Sequence, residues 1–309
     1  MFKRIKKPKI GIIVEYNPFH NGHIYQLKWI KNKFPGSKII IAMSHKYSQR
    51  GEYICVSWWK RKQIAKKYGV NKFIKLKEHI STQAAHIFAN EAVSLLNKAK
   101  IDYLVFGSET EDISVFIKVA KLLKENKTEY DILVKKYLKM GGNSFPKASA
   151  LALSELTNEN FDKPNDILGI EYVKSIINND FKIQPVCLKR TIEFHSKNTL
   201  NEFASASKIR QMIKEKQDIS KYTPLKIKKI KLIEDTYPKF QKFISKTPAN
   251  KIAQYKLIDE GMENLFKKHI NQPTYHDFIE ACISKRYTRN RIKRAYLSVF
   301  LKQRKKIAA

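Results

Sequence analysis

Short apolar runs rich in Ile and Val recur along this chain, each followed by a segment with helical spacing, and that alternation constrains the fold more than any other feature. KIGIIVEY (9–16) ends in the turn signal Asn17-Pro18, and residues 22–34 then follow a helical period. KIIIAM (38–43) precedes a helix over 57–68, KFIKL (72–76) precedes one over 81–98, and YLVF (103–106) runs through Gly107-Ser108 into one over 112–125. Strands apolar on both faces and separated by helices predict a parallel sheet covered on both sides, hence an α/β fold of Rossmann-like organisation. From 126 to 180 the spacing is helical, broken at Gly141-Gly142-Asn143 and Lys163-Pro164-Asn165, and FKIQPVCL (181–188) reads as one more strand. A helix then opens at Ser205 or Ser207, either of which suits the N-cap ahead of Lys208-Ile209-Arg210. Beyond Tyr222-Thr223-Pro224 no further strand is expected, only basic helices. The expected division is a catalytic-type α/β domain over 1–222 and a smaller basic α-helical region over 223–309.

A hydrophobic fraction of 43% supplies enough apolar surface for a packed core in a chain of 309 residues and excludes a disordered polymer. Charge is lopsided, with 61 Lys and Arg against 28 Asp and Glu and a net charge of +33. Only 10 of those cations are Arg, and Ile, Asn and Tyr are abundant, a mixture that AT-rich coding also produces. The alternative is selection for a phosphate-bearing partner. Segment 281–309 carries ten Lys or Arg and no acid, with Ile, Tyr, Leu and Phe between them. Cys55, Cys187 and Cys282 are odd in number and in no ligand or disulfide spacing, which implies a reducing interior. The basic start is followed by an apolar run cut short at Glu15, unlike a signal peptide, and no run approaches the roughly 18 apolar residues of a spanning helix. The expected location is the cytoplasm, with no membrane partner.

Open parallel sheets bind ligands beyond the carboxyl ends of their strands, so the first strand-to-helix loop is the place to look for chemistry. It reads Glu15-Tyr16-Asn17-Pro18-Phe19-His20-Asn21-Gly22-His23 and contains neither GxGxxG nor GxxxxGK[ST]. It instead sets two histidines three apart around a glycine at a helix start, where free N–H groups and the helix dipole favour a phosphate. An isolated HxxH also occurs as solvated or core histidines, and a zinc site would need a third ligand that is not evident nearby, so no metal site is expected. Ala204-Ser205-Ala206-Ser207-Lys208-Ile209-Arg210 supplies a second helix start, with hydroxyls and an Arg one turn on, suited to phosphate.

HNGH in that loop resembles the HxGH signature of the nucleotidyltransferase superfamily related to class I aminoacyl-tRNA synthetases, and ASASKIR resembles its [ST]-x-[ST]-x-x-R element. Further segments narrow the likeness. IVEYNPFHNGH, Met43-Ser44 with Gln49-Arg50-Gly51, FANEAVSLLN (88–97), FGSE (106–109), KPNDILGIEYVK (163–174), LKR (188–190) with Phe194-His195, ASASKIR and KRYTRNRIKR (285–294) fall in the order seen in the bacterial tRNA(Met) cytidine acetate ligase family. The resemblance covers nearly the whole chain.

It implies a two-step reaction in which ATP and acetate give acetyl-adenylate and pyrophosphate, and the acetyl group passes to the exocyclic amine of the wobble cytidine of elongator tRNA(Met). It places ATP along Ile13, Val14, Glu15, Tyr16, Asn17, Pro18, Phe19, His20, Asn21, Gly22, His23, Ile24, Tyr25 and Gln26, with Gly107, Asn165 and Arg190 completing the pocket. His20, His23, Arg190, Ser207 and Arg210 are the implied catalytic groups, acting by positioning and charge stabilisation, with Mg²⁺ bridging the phosphates. Lys285, Arg286, Arg289, Arg291, Lys293 and Arg294, with Tyr287 and Tyr296 among them, are the expected RNA surface. None of the cysteines lies in either motif, so no acyl-cysteine intermediate is expected. The chain departs from the family in having His45 after Met43-Ser44 where a Gly is usual, Ser57 before Trp58 where a Lys is usual, and a shorter stretch between Pro224 and Asp277. A small-molecule nucleotidyltransferase and a non-catalytic RNA-binding homologue are the alternatives.

Overall fold

The computed structural model describes residues 7–161, 163–190 and 202–305. Strands β1 (Lys9–Val14), β2 (Lys38–Ser44), β3 (Val70–Leu76), β4 (Tyr103–Ser108) and β5 (Gln184–Lys189) form one sheet in the order β3-β2-β1-β4-β5, and every neighbouring pair is parallel. The order reverses between β1 and β4, so the crevice beyond Val14 and Ser108 is the topological switch point where such sheets take ligands.

The strands are apolar on both faces because both are covered. Ile10, Ile12 and Val14 of β1, with Ile39, Ile41 and Met43 of β2, pack against Leu27 and Ile30 of α1 (Asn21–Lys33) and Ala65 of α2 (Trp58–Lys67). The alternate residues Ile40, Ala42 and Leu104 face the other side. There they meet α4 (Ala85–Lys98), α5 (Ile113–Glu125) and α8 (Pro164–Asn178) through Phe88, Leu96, Phe116 and Val173. The period-two alternation of a strand thus splits one run of isoleucines between two cores.

The helix expected over 81–98 is two helices, α3 (Glu78–Ser81) and α4, because the Thr82 hydroxyl donates to the Glu78 carbonyl and closes the first turn. The region after α5 holds a peripheral pair, α6 (Lys127–Lys139) and α7 (Phe145–Thr157), before α8 returns to the sheet. Of the two serines offered as caps, Ser205 is the N-cap of α9 (Ala206–Lys214), its Oγ accepting from the Lys208 amide at 3.1 Å, and Ser207 lies in the first turn.

Past a short 3₁₀ turn at Glu234–Thr236 come α10 (Tyr237–Lys246), α11 (Ala249–Ile252), α12 (Met262–His269), α13 (Tyr275–Cys282) and α14 (Arg289–Phe300). These helices build a core of their own around Phe240, Phe266, Phe278 and Tyr296, and Tyr47 from the loop after β2 enters it. Among the described residues no helix is long and apolar enough to cross a membrane.

Candidate active site

The end of β1 feeds directly into the histidine loop, which the rest of the sheet edge holds from several sides. Tyr16 takes a left-handed backbone (φ 52°) and buries its ring, edge-on to Phe19 at 4.9 Å and to His23 at 4.6 Å. Asn17 accepts from the Cys55 amide at 2.8 Å, and Arg61, fully buried, donates to the carbonyls of Glu15, Ser44, His45 and Val56. Asn21 donates to the carbonyls of Glu202 and Lys221, and the Thr223 hydroxyl donates to the Phe19 carbonyl at 2.7 Å. Segment 202–223 therefore clasps the loop.

His20 is the N-cap of α1 and forms a capping box with His23. The Gly22 amide donates to His20 Nδ1 at 3.1 Å, and the His20 amide donates to His23 Nδ1 at 3.1 Å. A Cβ at Gly22 would lie 2.9 Å from His20 Cε1, so only glycine lets the ring fold back over the helix start. Because each Nδ1 accepts from an amide, each neutral imidazole carries its proton on Nε2. The two rings are 3.8 Å apart between centroids. Burial lowers the His20 pKa to about 3, and the positive Arg190 adds to the shift; His23 is held well below its ordinary value by burial and by His20 and Arg190. At neutral pH both are uncharged Nε2–H donors.

Arg190 follows β5, and its amide donates to the Ser108 carbonyl at 3.0 Å. Its Nε lies 3.8 Å from Glu109 Oε1, and Asn165 donates to the same oxygen, while Arg190 Nε and Glu109 Oε2 are buried without a hydrogen-bond partner. Gly107 passes beneath the Arg190 side chain, where a Cβ would meet Cγ at 3.4 Å. Gly107, Asn165 and Arg190 are thus brought together, with Arg190 close enough to bear on both histidines. Asp166, buried at the first turn of α8, accepts from the Ser108 and Thr110 hydroxyls and from the amides of Glu109 and Thr110, which fixes the loop after β4. Sequence reasoning missed Asp166 and Glu109 as site residues. Their signal was the segments PNDILG and FGSE, whose contact is set by a crossover of more than fifty residues.

Arg210 of α9 donates to the Asn17 carbonyl at 2.7 Å, so the second helix start leans on the histidine loop. Ser205 and Ser207 share a hydroxyl contact at 2.9 Å. A cavity of about 280 Å³ opens beside them, lined among others by Glu52, Cys55, Ser207, Arg210, Lys214 and Lys293. Cys55 therefore borders the second motif in space, although not in sequence. Burial pushes its thiol up to about 11, so at neutral pH it is protonated and a poor nucleophile.

Comparison with known proteins decides the family. Residues 8–309 match the HIGH Nucleotidyl Transferase family. The chain is 60% identical over 304 residues to the tRNA(Met) cytidine acetate ligase of Mycoplasmopsis synoviae, covering 97% of this chain and 99% of that one. The chain belongs to the tRNA(Met) cytidine acetate ligase family. It is 50% identical over 293 residues to the ligase of that name from Mycoplasmopsis pulmonis, covering 94% of this chain and 98% of the relative. Among solved structures, Thermotoga maritima TmcAL bound with alpha-thio ATP superposes with a TM-score of 0.86 at 29% identity, covering 96% of this chain and 76% of that one. The apo form superposes with a TM-score of 0.88 at 30% identity, with the same coverage.

Within this ligase fold the remaining expected ATP residues divide by side chain. The side chains of Val14, Tyr16 and Phe19 are spent on the core, and those of Ile13 and Ile24 pack against it. Glu15 accepts from the Gln49 amide at 2.7 Å, and burial raises its pKa. Pro18 follows a cis peptide, Tyr25 is exposed, and Gln26 is half-buried on α1.

Of the expected RNA surface, the two tyrosines require correction. Tyr287 and Tyr296 lie in the core of the helical region, Tyr296 at 0% exposure, and neither presents a ring for base stacking. Arg286 pairs with Glu260, Arg289 with Glu280, Arg291 with Asp259 and Lys293 with Glu52. Arg294 is buried, which lowers its pKa to about 10. Lys285 is exposed and in no ion pair among the described residues. The segment is amphipathic, and the count of its charges concealed that its aromatic residues point inward. Phe194-His195 lie outside the described residues.

Proposed function

We propose that this chain activates acetate with ATP and transfers the acetyl group to the exocyclic amine of the wobble cytidine of elongator tRNA(Met). An acetate oxygen attacks the α-phosphorus, the α–β phosphoanhydride breaks, and pyrophosphate leaves with the bonding electrons. The amine nitrogen then attacks the acetyl carbonyl, AMP departs with the C–O pair, and the amine proton passes to solvent.

One observation carries the reading: two imidazoles locked by backbone amides as neutral Nε2–H donors, beside Arg190, at the switch point of a parallel sheet. Donors fixed before the reaction stabilise charge developing on phosphoryl oxygens without reorganising. Ser207 and Arg210 at the start of α9 suit the departing pyrophosphate. Mg²⁺ carried by the triphosphate would neutralise charge on the phosphoryl oxygens and on the departing pyrophosphate. Exposed cations of the helical region are available to RNA phosphate, Lys285 directly and Arg286 and Arg289 by exchanging their carboxylate partners.

The test is acetate-dependent exchange between ATP and labelled pyrophosphate. Exchange that requires acetate supports the first step. ATP binding without any acetate-dependent exchange contradicts it.

A further inference from the structure

A second, smaller cavity of about 140 Å³ lies in the helical region and shares no lining residue with the histidine loop; it is lined by Lys239, Phe240, Phe243, Val299, Phe300 and Lys302. Phe240 and Val299 form its buried floor, and Phe243 and Phe300 are half-buried at its walls. Its rim is cationic. On α10, Lys239, Lys242 and Lys246 are spaced three and four apart and therefore lie on one helical face, which borders the position of Phe243. All three are exposed, as is Lys302 just past α14.

These lysines differ from four of the six cations of 285–294 in one respect that bears on what they can bind. Arg286, Arg289, Arg291 and Lys293 each face a carboxylate within 4 Å. Lys239, Lys242, Lys246 and Lys302 make no ion pair among the described residues, and neither α10 nor residues 299–305 contain an acid. Unneutralised charge beside an apolar slot with two partly open aromatic rings matches the chemistry of a nucleic-acid strand, whose phosphates release counterions and whose unstacked bases seek π-faces.

We propose that the Lys239–Lys242–Lys302 rim and the Phe243–Phe300 slot form a docking face for single-stranded tRNA, with phosphates on the lysines and one unstacked nucleobase between the rings. This rests on the tRNA-modifying reading above, and it assigns the principal RNA contact to α10 and the end of α14 rather than to 285–294. The Tyr287 and Tyr296 rings cannot supply such a slot because they are buried.

The test is binding of elongator tRNA(Met) transcript to the full chain by fluorescence anisotropy across a salt series, with acetate-dependent ATP–pyrophosphate exchange measured alongside. Lys239→Gln/Lys242→Gln/Lys302→Gln is expected to weaken binding about tenfold or more and to flatten the salt slope by about two to three, one increment per lost phosphate contact. Arg286→Gln/Arg289→Gln is expected to flatten it by less. A wild-type slope in the triple variant overturns the proposal. In a separate protein, Phe243→Trp is expected to show indole quenching on adding oligo(U), whereas emission matching that of the wild type at saturating RNA overturns the base slot. Should the triple variant fail to fold, the single Lys242→Gln variant, expected to lose about one increment of slope, decides with Phe243→Trp. Wild-type chain that exchanges pyrophosphate but binds no tRNA at low salt contradicts the tRNA step itself, and a tRNA-binding chain indifferent to the lysines contradicts only the docking face.

Discussion

His20 performs two tasks with two nitrogens: Nδ1 caps α1, and Nε2–H is left to donate. The tasks can be separated by substitution. Asn is as good an N-cap as any residue, so His20→Asn is expected to keep thermal stability within about 1 kcal/mol of the wild type while slowing acetate-dependent pyrophosphate exchange by about 100-fold or more. Parallel loss of stability and exchange, measured by urea unfolding and kinetics, would assign His20 to structure alone. The depressed histidine pKa values also fix the sign of a pH effect. Below about 6.5 the unfolded chain takes a proton on each imidazole, whereas folded His20 does so only near 3, so stability falls as the medium is acidified. The fall should approach about 1.4 kcal/mol per pH unit for each of His20 and His23 between pH 6 and 5, opposed in part by Glu15, whose raised pKa has the reverse sign. Unfolding midpoints that do not move between those pH values would show that the histidines titrate normally. The place of HNGH at the first strand-to-helix turn was legible in the sequence. The proton on Nε2 was not, because it depends on two backbone amides whose directions appear only once the loop is folded.

At the scale of elements, the sheet was readable because each strand is a continuous β-branched run, and the order of strand and helix followed from that periodicity. Boundaries slipped where a single side chain decides them, as at Thr82, which ends α3, and at 181–183, which precede β5 rather than belong to it. The clasp between β4 and α8 was out of reach, since nothing local says that Asp166 accepts four hydrogen bonds from residues 108–110. That clasp holds Glu109 under Arg190, so Asp166→Asn, which turns an acceptor into a donor, is expected to loosen the loop. The Michaelis constant for ATP should rise about tenfold or more, with a smaller change in turnover. An unchanged constant would mean that the loop after β4 is held without Asp166. Arg61 ties the carbonyls of Glu15, Ser44 and His45, at the ends of β1 and β2, to that of Val56 ahead of α2, and Arg61→Leu is expected to cost about 3 kcal/mol or more in urea unfolding, because those acceptors are left buried and unpaired. A loss under about 1 kcal/mol would show that they find other donors.

On the scale of the molecule, the catalytic crevice and the helical region meet through α14, where Lys293 pairs with Glu52 at 2.8 Å and Glu52 in turn faces Arg210 at 3.8 Å. Gly51 makes that contact possible: it has φ +84°, and a Cβ there would lie 2.9 Å from the Lys293 carbonyl. The excess of +33 charges pointed to a polyanion, but its distribution was hidden from the sequence because Glu52, Asp259, Glu260 and Glu280 reach the cations of 285–294 only through the fold. In the function proposed above, this one chain couples adenylate formation at the histidine crevice to acetyl transfer onto tRNA. Incubating it with labelled acetate, ATP and elongator tRNA(Met), followed by nucleoside analysis, is the most direct measurement. Labelled N4-acetylcytidine is expected at the wobble position, dependent on ATP and abolished by His23→Ala, with none formed from acetyl-CoA alone. Label that enters tRNA from acetyl-CoA without ATP, or acetate-dependent exchange that leaves every tested tRNA unmodified, would contradict it.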